Sequence, residues 1–537
     1  EVTGQNIANV QTEGFSRQEV SFEATSPRST GQGILGTGVK ISAIQRAHNQ
    51  FIFGQITDEE IVKNNYTVRK DSFDQLEVLF NQNTGGDLSG ALNNFFASVQ
   101  DLSTNPTGLA ERATMLARGQ SLELGLNQMR QKLFQQQQNL DQTVDTKITE
   151  INNLTTQIAA LNKNIHGSET GTLSANDLRD QRDKLIRTLS QKIDVNIMSE
   201  VNGQMSLTLK NGRALVLGNT AFTVSAQVNG DNNGFKDVML DDGAGNRTNV
   251  TSIIQGGELR GLIDMRDTEV GKVRDQLDRL TAGFVREFNR VHQNGQGLDG
   301  QTGRNFFTPL SATVLVNTNN TGSGNVAVAN ASPATASVDK YEFTFTAANT
   351  VSLRNLTTGQ ASGTFTFATG TAFNVAVGLA VTITGSAAVG DRFRFSLSEN
   401  ASSTVSVDSQ IVSDTRKIAA GKTSLSDGGN ALDLAALQRA FNFDGTSMTR
   451  AGSGSYTFND FYSSIVANLG VSSQTTQTTL TEQEGILTQL KNRRESSDGV
   501  SLDEEMINMV KFQQAYNASA RVLSVVNDLF TTLQNKI

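Results

Sequence analysis

Val144, Ile148, Ile151, Leu154, Ile158, Leu161 and Ile165 recur at spacings of three and four residues. That spacing is the seam of a coiled-coil-like helix. The seam predicts a helix from about Leu109 to Ile165, which at about 1.5 Å per residue is roughly 85 Å long. A rod of that length needs a partner helix along it. Three segments are candidates. One is "NDLRDQRDKLIRTL", Asn176 to Leu189. The second is the series Val270, Val273, Leu277, Leu280, Phe284, Phe288 and Val291, again at threes and fours. The third is the C-terminal tail.

Between these helical stretches the period changes. Residues 194–255 read as short strands, with turn signals at Asn202-Gly203 and Asn211-Gly212. Residues 307–408 alternate at period two, and Phe343, Phe345, Phe393 and Phe395 mark inner faces. Near the start, a Gly-rich turn leads into a strand with Val39 and Ile41 on one face and Lys40 and Ser42 on the other. Helix dominates from about Asn49 to Ile165. It is broken near "NTGGDLSG", where Asp87 or Ser89 is a candidate cap. The expected fold class is α+β and multidomain: a long helical stem built from N- and C-terminal segments, with inserted antiparallel β domains. The expected division is 1–48 with 498–537 as a terminal region; 49–193, 256–306 and 409–497 as the stem; 194–255 as a small β subdomain; and 307–408 as an outer β domain.

Composition narrows the function classes. Apolar residues make up 37% and charged residues 18% of 537, so the cores are thin and the surface is rich in amides and hydroxyls. The net charge of -8 and the lack of a basic patch argue against nucleic acid. With no cysteine, disulfides and thiolate metal sites are excluded. No apolar run is long enough to span a bilayer, so no membrane insertion is expected. The first residues carry no charged-then-apolar leader pattern. The chain starts at Glu1 rather than Met, which deprives that observation of weight.

Motifs that could carry chemistry fail on context. Gly31, Gly33 and Gly36 spell G-x-G-x-x-G, but a strand rather than a helix follows, so a glycine hairpin is expected and no dinucleotide. His48, His166 and His292 stand apart, without metal-ligand spacing, and are expected at the surface or at helix ends. Asp231, Asp241 and Asp242 sit in turn sequences without the late Glu of a calcium loop. "SLDE", Ser501 to Glu504, reads as a capping box that starts the last helix, with Glu504 reaching back to Ser501. No catalytic constellation, cofactor site or metal site is visible, and the chain is not expected to be an enzyme.

That last helix is the richest segment. Leu502, Met506, Met509, Tyr516, Ala520, Leu523, Phe530 and Ile537 hold one three-four register, with Gln513, Asn527 and Gln534 as polar interruptions. A second stripe of Val522, Val526, Leu529 and Leu533 runs beside it. Two stripes call for more than one neighbour. Periodicity alone leaves two readings open: a terminal helix buried in its own chain, or one that packs on its own chain and on copies of itself.

The two ends together carry a family resemblance. "NIANVQTEGFSRQ", through Asn6, Asn9, Thr12, Gly14 and Phe15, resembles the N-terminal signature of bacterial flagellar axial proteins, the rod, hook and hook-associated family. "GVSLDEEMINMVKFQQAYNASARVLSVVNDLF" is similar to the C-terminal helix of that family. The segments "NDLRDQRDKLIRTLSQKIDVNI", "GELRGLIDMRDTEV", "FNRVHQNGQGLDG" and "FNDFYSSIVANLG" resemble its hook-associated branch at the hook-filament junction. The resemblance implies a secreted, extracellular structural subunit, exported through the flagellar type III apparatus, that folds at the growing tip. It implies a homo-oligomeric lattice, and as partners the hook protein, a second hook-filament junction protein and an export chaperone on the C-terminal helix. It also implies a longer helix ahead of the Asn-rich signature than these residues provide. The alternatives are the hook protein itself, whose long-helix content is wrong, and a secreted β-domain adhesin, which leaves the paired termini unexplained.

Overall fold

The computed structural model describes the chain except for residues 31–32, 81–87, 170–173, 202, 333–334, 376–377, 445–446, 449–453 and 536–537. The chain opens with helix α1 (Val2–Ala8) and strands β1 (Gln18–Ala24), β2 (Arg28–Thr30), β3 (Gly33–Leu35) and β4 (Val39–Arg46). Helices α2 (Gln50–Phe80), α3 (Leu88–Thr104), α4 (Leu109–Ser168) and α5 (Asn176–Lys192) follow. After a first β insertion come α6 (Gly257–Ile263) and α7 (Val270–His292), joined by a π-helical turn at Asp264–Glu269. A second β insertion leads to the short helices α8 (Ala401–Thr404), α9 (Ser409–Ser413) and α10 (Gly429–Ala436). The chain closes on α11 (Phe458–Asp498) and α12 (Leu502–Gln534). The expected fold class is borne out: long helices from both ends of the chain flank inserted antiparallel sheets.

The stem is held by apolar contacts between segments far apart in sequence. α2 and α11 run antiparallel, with Ile52 and Ile56 against Leu487 at one end and Phe80 6.4 Å from Tyr462 at the other. At the centre, Phe95 and Phe96 of α3 meet Phe284 and Phe288 of α7 and Phe306, Phe307 and Phe458. α4 crosses this cluster at Gly119, where an added Cβ would sit 3.0 Å from the Phe306 ring. Asn289 closes the bend after α7: its Oδ1 accepts from the Phe306 and Phe307 amides and its Nδ2 donates to the Phe307 carbonyl.

α4 corrects one expectation. The 60-residue helix exists as the seam predicts, and two of the three candidate segments, α5 and α7, pack on it, but each along only part of its length. Its outer half packs on α5 and on the first β insertion. The reason lies in polar residues the seam ignores. Asn152 pairs with both backbone groups of Val224, at 2.8 and 2.9 Å. Buried Asn162 donates to the Met205 and Gly218 carbonyls and accepts from the Met205 amide. An amide side chain offers donor and acceptor together, so it docks a strand where a leucine would dock a helix. Leu154 and Leu161 are accordingly only half-buried, while Thr155 and Asn162 are buried. The C-terminal tail does not serve α4, since α12 lies against α1.

The first insertion is a four-stranded sheet over 196–221 and a three-stranded sheet over 224–249, all antiparallel. The second is a five-stranded sheet in the order Thr313–Val316, Arg392–Ser396, Tyr341–Ala347, Thr350–Asn355, Ala361–Thr366, with a three-stranded sheet beside it. Phe343, Phe345, Phe393 and Phe395 are buried between the sheets, as alternation predicts. Asp231 ties the insertions together by accepting from the Thr318 amide and hydroxyl, and Asp242 holds its own turn through Ala244 and Asn246. Of the candidate caps, Ser89 lies inside α3, its hydroxyl 3.5 Å from Asn459, and Asp87 lies outside the described residues. No helix follows Gly33, the first residue of β3, or Gly36, in the loop between β3 and β4; Gly31 lies outside the described residues.

His292 ends α7 but is fully buried rather than at the surface. Its Nδ1 lies 2.7 Å from the Arg304 carbonyl, and its Nε2 accepts from the Ala419 amide at 2.9 Å. That pattern fits a neutral imidazole, and burial lowers its pKa to about 4. An unfolded histidine titrates near 6.5. Between those values the unfolded chain binds the extra proton, so stability falls as pH drops below 6.5 and the loss is complete below about 4. The full effect is about 3 kcal/mol. Denaturant titrations at pH 7 and pH 4.5 are expected to show this slope, and His292→Gln is expected to flatten it. An equal slope in the variant would assign the pH dependence to other groups.

Candidate assembly joint and terminal helix

The N-terminal signature folds into a corner. α1 stops at Asn9, whose side chain donates to the Gln5 carbonyl and accepts from the Thr12 hydroxyl. Gly14 then turns the chain at φ +91°, a conformation that L side chains rarely adopt. Asn6 is buried and pairs with both backbone groups of Gln18, at 2.9 and 3.0 Å, so it fastens α1 to the first residue of β1. Phe15 is half-buried and lines a cleft of about 320 Å³ with Gln5, Asn9, Thr12, Asp177 and Lys184. The deeply buried anchor beside it is Ser16.

α5 supplies the other half of the joint. Asp177, Asp180 and Asp183 recur every three residues, which puts them along one helix face. Asp180 accepts from the Ser16 amide at 2.9 Å and from its hydroxyl at 2.8 Å. Arg46, at the end of β4, lies 2.7 Å from both Asp180 and Asp183. Asp177 takes the Gln18 side chain, and Asn176 donates to the Ile44 carbonyl. His48 completes the cluster 3.8 Å from Asp183, its pKa lowered by burial first and by Arg46 second. Three carboxylates this close are tolerable because a buried guanidinium and several N–H donors face them.

The two ends of the chain meet here. The Arg17 amide donates to the Asp498 carbonyl, where α11 ends. The Asp498 carboxylate accepts from the Asn49 amide, and the Asn49 side chain caps α2. The Arg17 guanidinium holds Glu504 at 2.9 Å and buried Glu505 at 3.0 Å, in the first turn of α12. The expected capping box is therefore half made. Ser501 accepts from the Glu504 amide, but the Glu504 carboxylate turns to Arg17. A cation at that distance outcompetes a neutral backbone N–H.

α12 is bare. Of its 33 residues only Glu505 is buried, and Tyr516, Leu523 and Phe530 are at least 70% exposed. Leu502, Met506, Met509 and Ala520 are exposed as well, as are Val522, Val526, Leu529 and Leu533 of the second stripe. Ile537 lies outside the described residues. Among the described residues, nothing of this chain's own core covers either stripe.

Among the described residues no group of three or more His, Asp or Glu is placed to hold a metal ion. No helix among them is long and apolar enough to cross a membrane. In sequence the chain is 30% identical to flagellar hook-associated protein 1 of Escherichia coli K12, over 99% of this chain and 95% of that protein. The chain belongs to the flagellar hook-associated protein 1 family. Flagellar hook-associated protein 1 of Bacillus subtilis is 25% identical over 99% of this chain and 94% of its own length. The helical-domain model of flagellar hook-associated protein FlgK matches residues 73–307, and the C-terminal model of the flagellar basal body rod FlgEFG proteins matches 495–536. The fold is shared with the flagellar hook junction protein FlgK from Burkholderia pseudomallei, at TM-score 0.72 and 18% identity, over 82% of this chain and all of that one. As a member of the hook-associated protein 1 family, this chain is a structural subunit of the flagellum.

Asp180, Arg46, Arg17 and Asp498 were not singled out from sequence. A signal for the first existed in the three-residue spacing of carboxylates on α5. Arg17, Arg46 and Asp498 offered none, since the partners that build the joint, Glu504, Asp180 and Asn49, lie more than 130 residues away in sequence.

Proposed function

We propose that the chain is the adaptor that joins hook to filament, assembling with copies of itself through the terminal region. The observation that carries this is α12: a 33-residue helix, apolar on two stripes and exposed along its length. Such a helix is a poor monomer surface and a good lattice part, since neighbours bury what its own chain leaves bare. Its inner face continues the hook lattice below and meets the second junction protein above. The β insertions face outward. Before secretion the Leu502–Ile537 segment is held by an export chaperone, which covers the same stripes. The signature residues Asn6, Asn9, Thr12, Gly14 and Phe15 set the angle at which this terminal region leaves the stem.

Immunogold labelling of intact flagella tests the reading. A narrow band between hook and filament is expected. Label along the hook would make the chain a hook protein, and label over the cell surface would make it an adhesin. Phe15→Ala is expected to leave the secreted monomer folded, because Phe15 belongs to no core cluster, and to lower its incorporation severalfold. Incorporation and swimming at the unaltered level would remove Phe15 from the assembly surface.

A further inference from the structure

β1 and β4 pair into a two-stranded ribbon, with β2 and β3 paired beyond them. Phe22 lies opposite Ile41 and Ala24 opposite Val39, so these four share one face. Glu23 lies opposite Lys40 on the other face, where the two form an ion pair at 3.4 Å. The apolar face is open to solvent: Phe22 is 58% exposed, Val39 70% and Ile41 62%. Ile34 and Leu35 of β3, on opposite faces of the β2–β3 pair beyond, are also more exposed than half. An isolated two-stranded ribbon is marginal in water and gains its stability from a third layer. Side-chain hydrogen bonds from α1 and α5 reach this one at its root, through Gln18, Ile44 and Arg46.

Two observations say what covers the rest. The first is continuity. Arg17, immediately before β1, also clamps Glu504 and Glu505 at the start of α12. The bare face of the ribbon and the bare stripes of α12 thus leave one joint together. The second is reach. The seven residues of β1 span about 23 Å at 3.3 Å each, twice the width of a helix at about 10 Å. An arm that long carries its tip about two helix widths from the joint, and its apolar face stays open among the described residues. We infer that the apolar face of the β1–β4 arm, through Phe22, Val39 and Ile41, packs on a second copy of this chain. The inference rests on the self-assembly proposed above. The arm adds to it a contact made by a strand pair rather than by a terminal helix, with its charged face turned to water.

The chain has no cysteine, so an introduced thiol is the single one it carries, and labelling is read on the band of this chain. Ile41→Cys and Lys40→Cys place a thiol on the apolar and the charged face of the same ribbon. A maleimide is applied to secreted monomer and to intact flagella. The thiol at position 41 is expected to react freely in the monomer and at least tenfold more slowly in flagella, while the thiol at position 40 reacts in both. A photo-crosslinking benzophenone residue at position 41 is then expected to give an adduct of two copies of this chain. A chain that incorporates with position 41 still reactive overturns the arm contact and leaves the proposed function standing. An adduct with a different flagellar protein overturns the second copy as the occupant. A chain absent from flagella overturns the proposed function and this inference together.

Discussion

Asp180→Ala is expected to open the corner between the terminal region and the stem while the Phe-rich core stays folded. Asp180 accepts from the Ser16 amide and hydroxyl and shares Arg46 with Asp183. Alanine removes all three partners at once. It strands the Ser16 N–H in a buried position and leaves Arg46 with one counter-charge. Breaking a buried pair from one side costs about 3–5 kcal/mol, because the remaining charge stays desolvated. The core cluster around Phe95 and Phe288 touches none of these groups, so the loss is local. Amide exchange at residues 14–18 is expected to accelerate by two orders of magnitude or more, with core amides unchanged. Asp180→Asn keeps an acceptor for Ser16 and gives up the charge, so its effect is expected to be intermediate. Unaltered exchange at Ser16 in the alanine variant would show that Asn6 and Arg17 hold the corner without α5.

The same joint shows where sequence reasoning reaches and where it stops. α4 was legible because its seam repeats over many turns, and the β insertions because phenylalanines alternate strictly at 343–345 and 393–395. Both signals are local and periodic. The amides of the signature were legible as turn residues, and Asn6 and Asn9 do bind backbone. What they bind was not legible in full. Ser16 and Asp180 are 164 residues apart, and Arg17 and Glu504 are 487 apart. No local pattern encodes a pairing across such distances. The same limit explains α4, where Asn152 and Asn162 look like interruptions of a seam and are its docking points for strands. It also explains α12, since periodicity specifies an apolar face and leaves open which chain covers it.

Leu523→Asp separates those two possibilities by experiment. Leu523 is 70% exposed in the isolated chain, so a carboxylate there is hydrated and monomer stability is expected to change by no more than about 0.5 kcal/mol. In an assembly where neighbouring helices cover the stripe, the same carboxylate is stripped of water without a partner. That costs about 3 kcal/mol or more per copy, roughly a hundredfold in each association constant, and every copy in a ring bears the cost. Incorporation into flagella and swimming are expected to be lost, although the purified chain melts as before. The chaperone is expected to lose its hold too if it covers the same stripe, and the accumulated chain would then stay inside the cell. Normal export with failed incorporation would instead divide the helix into a lattice face that includes Leu523 and a chaperone face that does not. Full incorporation would mean that Leu523 faces water in the assembled flagellum, and the contact would pass to the other stripe, through Val522, Val526, Leu529 and Leu533.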